Sequence, residues 1–346
     1  MLAALLKWLG MDGSTRRHNE QVVAAIEKVI DGTDPRLRLL PGYRSQLSKG
    51  MKTSLAYIAG IPSHLPSPLE LSLRAFTTDK RIGLLFSSPL SLLLFLRDSQ
   101  NLSEFFLNAS NGDEAWGLLS MHRSETRRFG MSEENGEILS DVPQVVVSFD
   151  NHQLLLTCPS SAALQSTMTR RCLDVLIEAM VRRLHLLDRS RVELEGERSH
   201  ILLKLNALTT PGSQVIDATA NLASLPETAE ELQQRLREVE QQLAELRPLS
   251  ELTGVLDLVR HMLEHPRDYF RVEAFTLYLN RMGIKLDNPD DAEANALGFE
   301  EVILGQTEPI RRAVLPVHIP RTARQELEEQ FGEELAGALN ISPFGI

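Results

Sequence analysis

Apolar residues recur at every seventh position through one long stretch of the chain: Leu173, Met180, Leu187, Leu194, Ile201 and Leu208. A second row, Ile177, Leu184 and Leu205, completes an a/d seam that Arg191 and Arg198 interrupt. This period predicts one helix of about 50 residues after Pro159, roughly 70–75 Å long at 1.5 Å per residue. A second seam follows a polar connection at 209–226. There Leu232, Leu236, Val239, Leu243 and Leu246 alternate by four and three until Pro248 stops them. Two adjacent seams of this kind predict a long antiparallel helical hairpin resembling a coiled coil. The second arm is short and covers the first only over 185–208, so 164–187 must bury its apolar face elsewhere. Arg191 and Arg198 then face Glu230, Glu231, Glu238, Glu240 and Glu245 across the hairpin, a pattern that predicts interhelical ion pairs.

On either side the periods are shorter. Helical spacing predicts helices over 19–30, with Gly32 closing the first, and over 43–59, 69–76, 89–98, 113–123, 249–264 and 321–339. The prolines within 61–68 forbid helix there. Alternation predicts strands at 127–131 and 137–139 around Asn135-Gly136, then at 144–149 and 153–157, with Asp150-Asn-His as the turn between them. Further strands are predicted over 270–280, 284–286, 299–304 and 310–319. The fold class is therefore α+β, predominantly α-helical, with a long antiparallel helical hairpin flanked by small antiparallel β units. Four stretches divide the chain: a helical unit at 1–125, a small β meander at 126–158, the long helix and hairpin at 159–264, and an antiparallel β unit with a terminal helix at 265–346. The pattern leaves open whether the two β regions share one sheet.

Composition adds constraints. Of the 346 residues, 42% are hydrophobic and 24% charged, an ordinary globular balance. The net charge of -11 repels nucleic acid and anionic lipid, so no nucleic-acid partner is expected. The arginines of the long helix, Arg170, Arg171, Arg182, Arg183, Arg189, Arg191 and Arg198, are interleaved with carboxylates and read as a solvated, ion-paired face. Only Cys158 and Cys172 carry thiols, and no cleavable signal peptide precedes them; the expectation is free thiols in a reducing, cytoplasmic setting. The sequons at Asn101, Asn108 and Asn340 carry no meaning there. The longest apolar run, near Leu90–Leu96, is far short of the roughly 20 residues that span a bilayer.

Candidate chemistry is sparse. His261-Met-Leu-Glu264-His265 matches the letters H-x-x-E-H of the inverted zinc peptidases. That resemblance implies that the two histidines hold zinc, that Glu264 activates its water, and that Glu333 or Glu334 supplies the distant ligand. Against it, His265 precedes Pro266, where a helix is expected to end. Ser48-Lys-Gly50-Met-Lys52-Thr53 resembles a phosphate loop but has Met51 between Gly50 and Lys52. The acidic stretch Asp287–Glu293 lacks the spacing and glycine of a calcium loop; Asp290 or Asp291 is expected to cap a short helix at 292–297. We therefore assign no catalytic, cofactor-binding or metal-binding residue from the sequence, and no cofactor.

These features point to a non-catalytic cytoplasmic interaction or scaffold protein that acts through its helical hairpin on another protein or on a second copy of itself. The alternatives are a zinc-dependent hydrolase built on His261, Glu264 and His265, and a peripheral membrane protein attached through the apolar Met1–Leu9 segment with Arg16 and Arg17.

Overall fold

The computed structural model describes residues 15–61, 65–108, 111–134, 137–209 and 228–340, and only the backbone at 15–18, 132–134, 137–139, 209 and 332–340. Met1–Leu9, most of the 209–226 connection, the Asn135-Gly136 turn and the tail thus lie outside the described residues. The chain is mixed α+β and divides into two compact units, Met1–Ala56 with Val175–Tyr269, and Tyr57–Asp174 with Phe270–Ile346.

The first unit contains helix α1 (Thr15–Gly32), most of α2 (Tyr43–Gly60), the distal part of α7 (Ser161–Thr209), α8 (Ala229–Leu246) and α9 (Leu252–Glu264). Helix α1 buries Val22, Ile26, Val29 and Ile30 of its predicted apolar positions and leaves Val23 exposed. A side chain on Gly32 would come within 2.4 Å of Ile177 Cγ2, so the glycine permits close approach to α7. Gly50, the glycine of the supposed phosphate loop, lies inside α2, where a Cβ would sit 2.8 Å from Leu263 Cβ of α9. Beside it Ser54 Oγ is buried and donates to the Leu263 carbonyl at 2.7 Å. The helix α9 buries Leu256, Val259, Met262 and Leu263 and ends one residue before His265-Pro266, as the proline requires.

Glu27 of α1 gathers three donors: Tyr43 Oη at 2.8 Å, Arg44 Nε at 2.8 Å and Arg38 Nε at 3.0 Å. The Tyr43 hydroxyl, with the two guanidiniums and against the opposing cost of burial, holds its carboxyl down at about 2. A carboxyl depressed on folding contributes stability that is complete above its unfolded value and fades as pH falls toward the folded one. Glu27→Gln is therefore expected to lower stability at neutral pH and to flatten its decline between roughly pH 5 and 2. Urea midpoints measured across that range check this; parallel curves for the two proteins would contradict it.

Helix α8 is capped by Thr228, whose side chain accepts from Glu231 N at 3.3 Å. Ile201 of α7 packs with Leu232 and Val239, all three fully buried, and Leu194, Leu205, Leu236 and Leu243 surround them. These are among the seam positions predicted from the heptads; Leu208, predicted in the same row, is instead 53% exposed. Arg198 pairs with Glu240 at 3.1 Å, as expected, and Glu197 pairs with Arg235 at 2.6 Å. Arg191 instead bonds along its own helix, to Asp188 and Glu195, each at 2.9 Å.

The second unit is built on one sheet. Its strands are β1 (Leu69–Glu70), β2 (Glu114–Glu134), β3 (Glu137–Cys158), β4 (Phe270–Leu279), β5 (Asn295–Leu304) and β6 (Ile310–Pro320). The order is β3-β2-β6-β5-β4, antiparallel throughout, and β1 adds a parallel pairing on β6. The two β regions therefore do not form separate units flanking the helices; β2 joins them by pairing β6 from Glu114↔Pro320 to Met121↔Ala313. Residues 283–286 also bridge the ends of this path. Leu286 N bonds Tyr278 O and Asn280 N bonds Ile284 O on the β4 side, while Val147 N bonds Gly283 O and Lys285 N bonds Val145 O on the β3 side. The sheet thus closes on itself.

Both faces are covered. One carries Leu119, Met121, Phe149, Phe299 and Leu315, packed with α3 (Leu73–Thr78), α4 (Lys80–Leu85), α5 (Pro89–Asp98), α6 (Gln100–Leu107) and α10 (Ala323–Asn340). The other carries Leu118, Cys158 and Val314 against Leu164 and Met168 of α7. The stretch 113–123, predicted helical, is the start of β2. Its adjacent Leu118 and Leu119 face opposite cores, so the strand loses its alternation. Likewise 69–76 is split into β1 and α3 rather than one helix. The supposed turn at Asp150-Asn-His lies within β3, where Asn151 takes φ 50 at a register shift opposite Ser120–His122. This is a bulge, a place where asparagine tolerates the left-handed region. No helix forms at 292–297: Asp291 Oδ1 accepts from Glu293 N at 2.9 Å in a turn and β5 starts at Asn295.

Candidate functional site

Past Met121↔Ala313 the sheet forks. Strand β2 continues paired only with β3, whose other edge takes residues 283–286, and β6 continues with β5 to Ile310↔Leu304. The fork encloses a cleft of about 500 Å³ whose charged lining is His122, Arg123, Asp150, Glu301, Arg311 and Arg312. Successive residues on a strand point to opposite faces, so the cleft collects side chains from both sides of the sheet at its open end.

Glu301 anchors one side. Its side chain is 2% exposed and accepts from Arg123 Nη2 and Arg311 Nη1, each at 2.9 Å. Arg123 also bonds Glu125, and its guanidinium lies 5.6 Å from the Phe275 ring centroid and 5.9 Å from that of Phe299. A charge so deeply buried persists only with partners of this kind, and the aromatic faces add to the cation's stabilisation. On the other side, His122 Nδ1 lies 3.1 Å from Asp150 Oδ1. Arg312 is held by neutral oxygens: Ser120 Oγ at 3.0 Å, Ser120 O at 3.3 Å and Asn151 O at 2.8 Å. The carbonyl of the Asn151 bulge is thus spent on orienting a guanidinium. Burial shifts Arg312 below the usual arginine range, partly offset by the field of Asp150. A second cavity, of about 590 Å³, is edged by His152. Its Nε2 donates to Leu85 O at 2.9 Å, its ring stacks on Phe86, and burial depresses its basicity, the signature of a neutral packing histidine.

The sequence motifs fare differently. His261 and His265 do come together, with ring centroids 4.7 Å apart, but His265 is past the last turn of α9 in a non-helical conformation. Among the described residues no group of three His, Cys, Asp or Glu converges as a metal site. The Glu333 and Glu334 side chains lie outside those residues. Lys49, Lys52 and Thr53 sit on a helix rather than in a loop. Several arginines of α7 are ion-paired along the helix, including Arg171 with Asp174 and Arg189 with Glu193. Cys158 and Cys172 are free and buried, and burial pushes the Cys172 thiol up to about 12, far from a reactive thiolate. No helix among the described residues is long and apolar enough to cross a membrane.

Comparison with family models, with curated proteins and with solved structures finds no match. No sequence motif marks the cleft. Arg123, Glu301, Arg311 and Arg312 come from distant strands and belong to no motif. The nearest signal was local: two adjacent carboxylates, Glu300 and Glu301, inside an otherwise apolar strand, both only 2% exposed in the fold.

Proposed function

We infer that this chain is a non-catalytic interaction protein of a reducing, cytoplasmic compartment, and that the α7–α8 arm, folded as an antiparallel helical hairpin, is its docking element. The observation that carries this reading is the exposed apolar set on the distal part of α7. Val192 is 55% exposed and Leu203 63%, and both lie opposite the seam that Ile201 makes with α8. Leu202 is also exposed. An arm whose inner seam is already filled, and whose outer face still carries large apolar side chains between ion pairs, has the composition of a helix that receives another helix. The two free, buried thiols support the compartment.

The test is the double substitution Val192→Asp with Leu203→Asp. Both side chains are exposed, so melting temperature is expected to stay within about 2 °C of the parent. Stoichiometric association, measured as solution mass by sedimentation and as co-purifying chains from the native cells, is expected to be lost in this variant and in a deletion of 188–247. Association that survives both changes overturns the reading.

A further inference from the structure

We propose that the fork in the sheet is a binding site for a small oxyanion, a phosphate or carboxylate group, received by the unused N–H edges of Arg311 and Arg312. The proposal is independent of the helical arm. Three arginines line the cleft with two carboxylates, Asp150 and Glu301, and Glu125 at its edge takes part of Arg123, so Arg311 and Arg312 are the cations whose N–H groups remain available. Both carboxylates already have partners: Glu301 is shared by Arg123 and Arg311, and Asp150 faces His122. Arg123 directs all three of its nitrogens to Glu301 and Glu125.

The other two arginines are not exhausted. Arg312 spends Nε and Nη2 on Ser120 and Asn151, and makes no ion pair with any described carboxylate; its Nη1 group has no protein acceptor among the described residues. Arg311 uses only Nη1, leaving Nε and Nη2. A guanidinium fixed on one edge by neutral oxygens and open on the other is pre-organised for an anion, because it loses little rotamer freedom on binding and no carboxylate offsets its charge. The cleft, at about 500 Å³, is larger than a lone phosphate and suits a small molecule carrying one. The groups that face the bound anion are His122, Asp150, Glu301 and the three arginines.

The whole chain is titrated by calorimetry at low ionic strength with inorganic phosphate, pyrophosphate and malonate. Saturable 1:1 binding of at least one anion is expected, and it weakens as salt is added. Arg312→Gln and Arg311→Gln are each expected to weaken it about tenfold, through loss of a charge-assisted hydrogen bond. Arg324→Gln on α10, outside the cleft, leaves it unchanged. Arg311 is half exposed, so its variant keeps the test sound even where Arg312→Gln disturbs the bulge. Preference for pyrophosphate assigns a phosphoryl ligand and preference for malonate a dicarboxylate. No saturable binding at millimolar anion, or binding equally strong in Arg311→Gln, overturns the proposal.

Discussion

Arg123→Met is expected to destabilise the sheet unit by about 3 kcal/mol, one of the largest losses from a single side chain outside the apolar core. The residue it abandons, Glu301, is 2% exposed and cannot turn to solvent within the folded strand. Only Arg311 would then face it, and that side chain is 51% exposed, so its field is screened by water. The methionine fills the space beside Phe275 and Phe299 but removes the cation from their faces. The accompanying test is Arg123→Met combined with Glu301→Leu. Removing both charges removes the uncompensated one, so the double variant is expected to recover most of the loss. Urea midpoints of the two single variants and the double decide the matter. If the double variant is as unstable as the sum of the singles, the cost lies in packing rather than in an orphaned charge.

The same residues show what a sequence can and cannot disclose. Periodic signals survived well. The seam positions Ile201, Leu232 and Val239 are buried together, α5 spans the predicted 89–98, and β6 matches 310–319 within a residue. Each of these elements has one apolar side or a uniform apolar run between clear punctuation. Periodicity misleads where an element is buried on both faces. At 115–121 the run Ala-Trp-Gly-Leu-Leu-Ser-Met mimics a helix because Leu118 and Leu119 each have a core to enter. Composition misleads where chain direction is kept through an irregularity. Asp-Asn-His at 150–152 has the composition of a turn, yet Asn151 makes a bulge and its carbonyl serves Arg312, 161 residues away. The candidate site was invisible for a related reason. Its ion pairs join residues 123, 301 and 311, and charge partnerships across strands leave no periodic trace. The histidine pair of H-x-x-E-H was fully legible, but the motif's second histidine falls after the helix that should frame it, and among the described residues no third ligand converges there.

Gly283→Ala is expected to cost about 2–4 kcal/mol, although it adds a single methyl group. Two independent constraints meet at this position. Gly283 has φ +76, a region that an L side chain enters at a cost of about 1–2 kcal/mol. A Cβ there would also lie 2.7 Å from the Val147 carbonyl oxygen, which is backbone and has no rotamer by which to withdraw. Relief of that contact requires 283–286 to move off β3, and with it go the Gly283–Val147 and Val145–Lys285 bonds that close the sheet. The effect should therefore be local in its signature as well as large. In hydrogen exchange, the Val147 and Lys285 amides are expected to lose protection first, while amides at the centre of the β2–β6 ladder, such as Leu119, stay slow. Gly83→Ala in α4 supplies the contrast. Apart from its own helical turn nothing lies within 4 Å of its would-be Cβ and its backbone is helical, so alanine there is expected to stabilise by about 0.5–1 kcal/mol. A Gly283→Ala protein that keeps both protection at Val147 and the parent midpoint would mean that the 283–286 bridge does not hold the two ends of the sheet together. The fork that opens between β2 and β6 would then lack the closed frame that fixes its arginines.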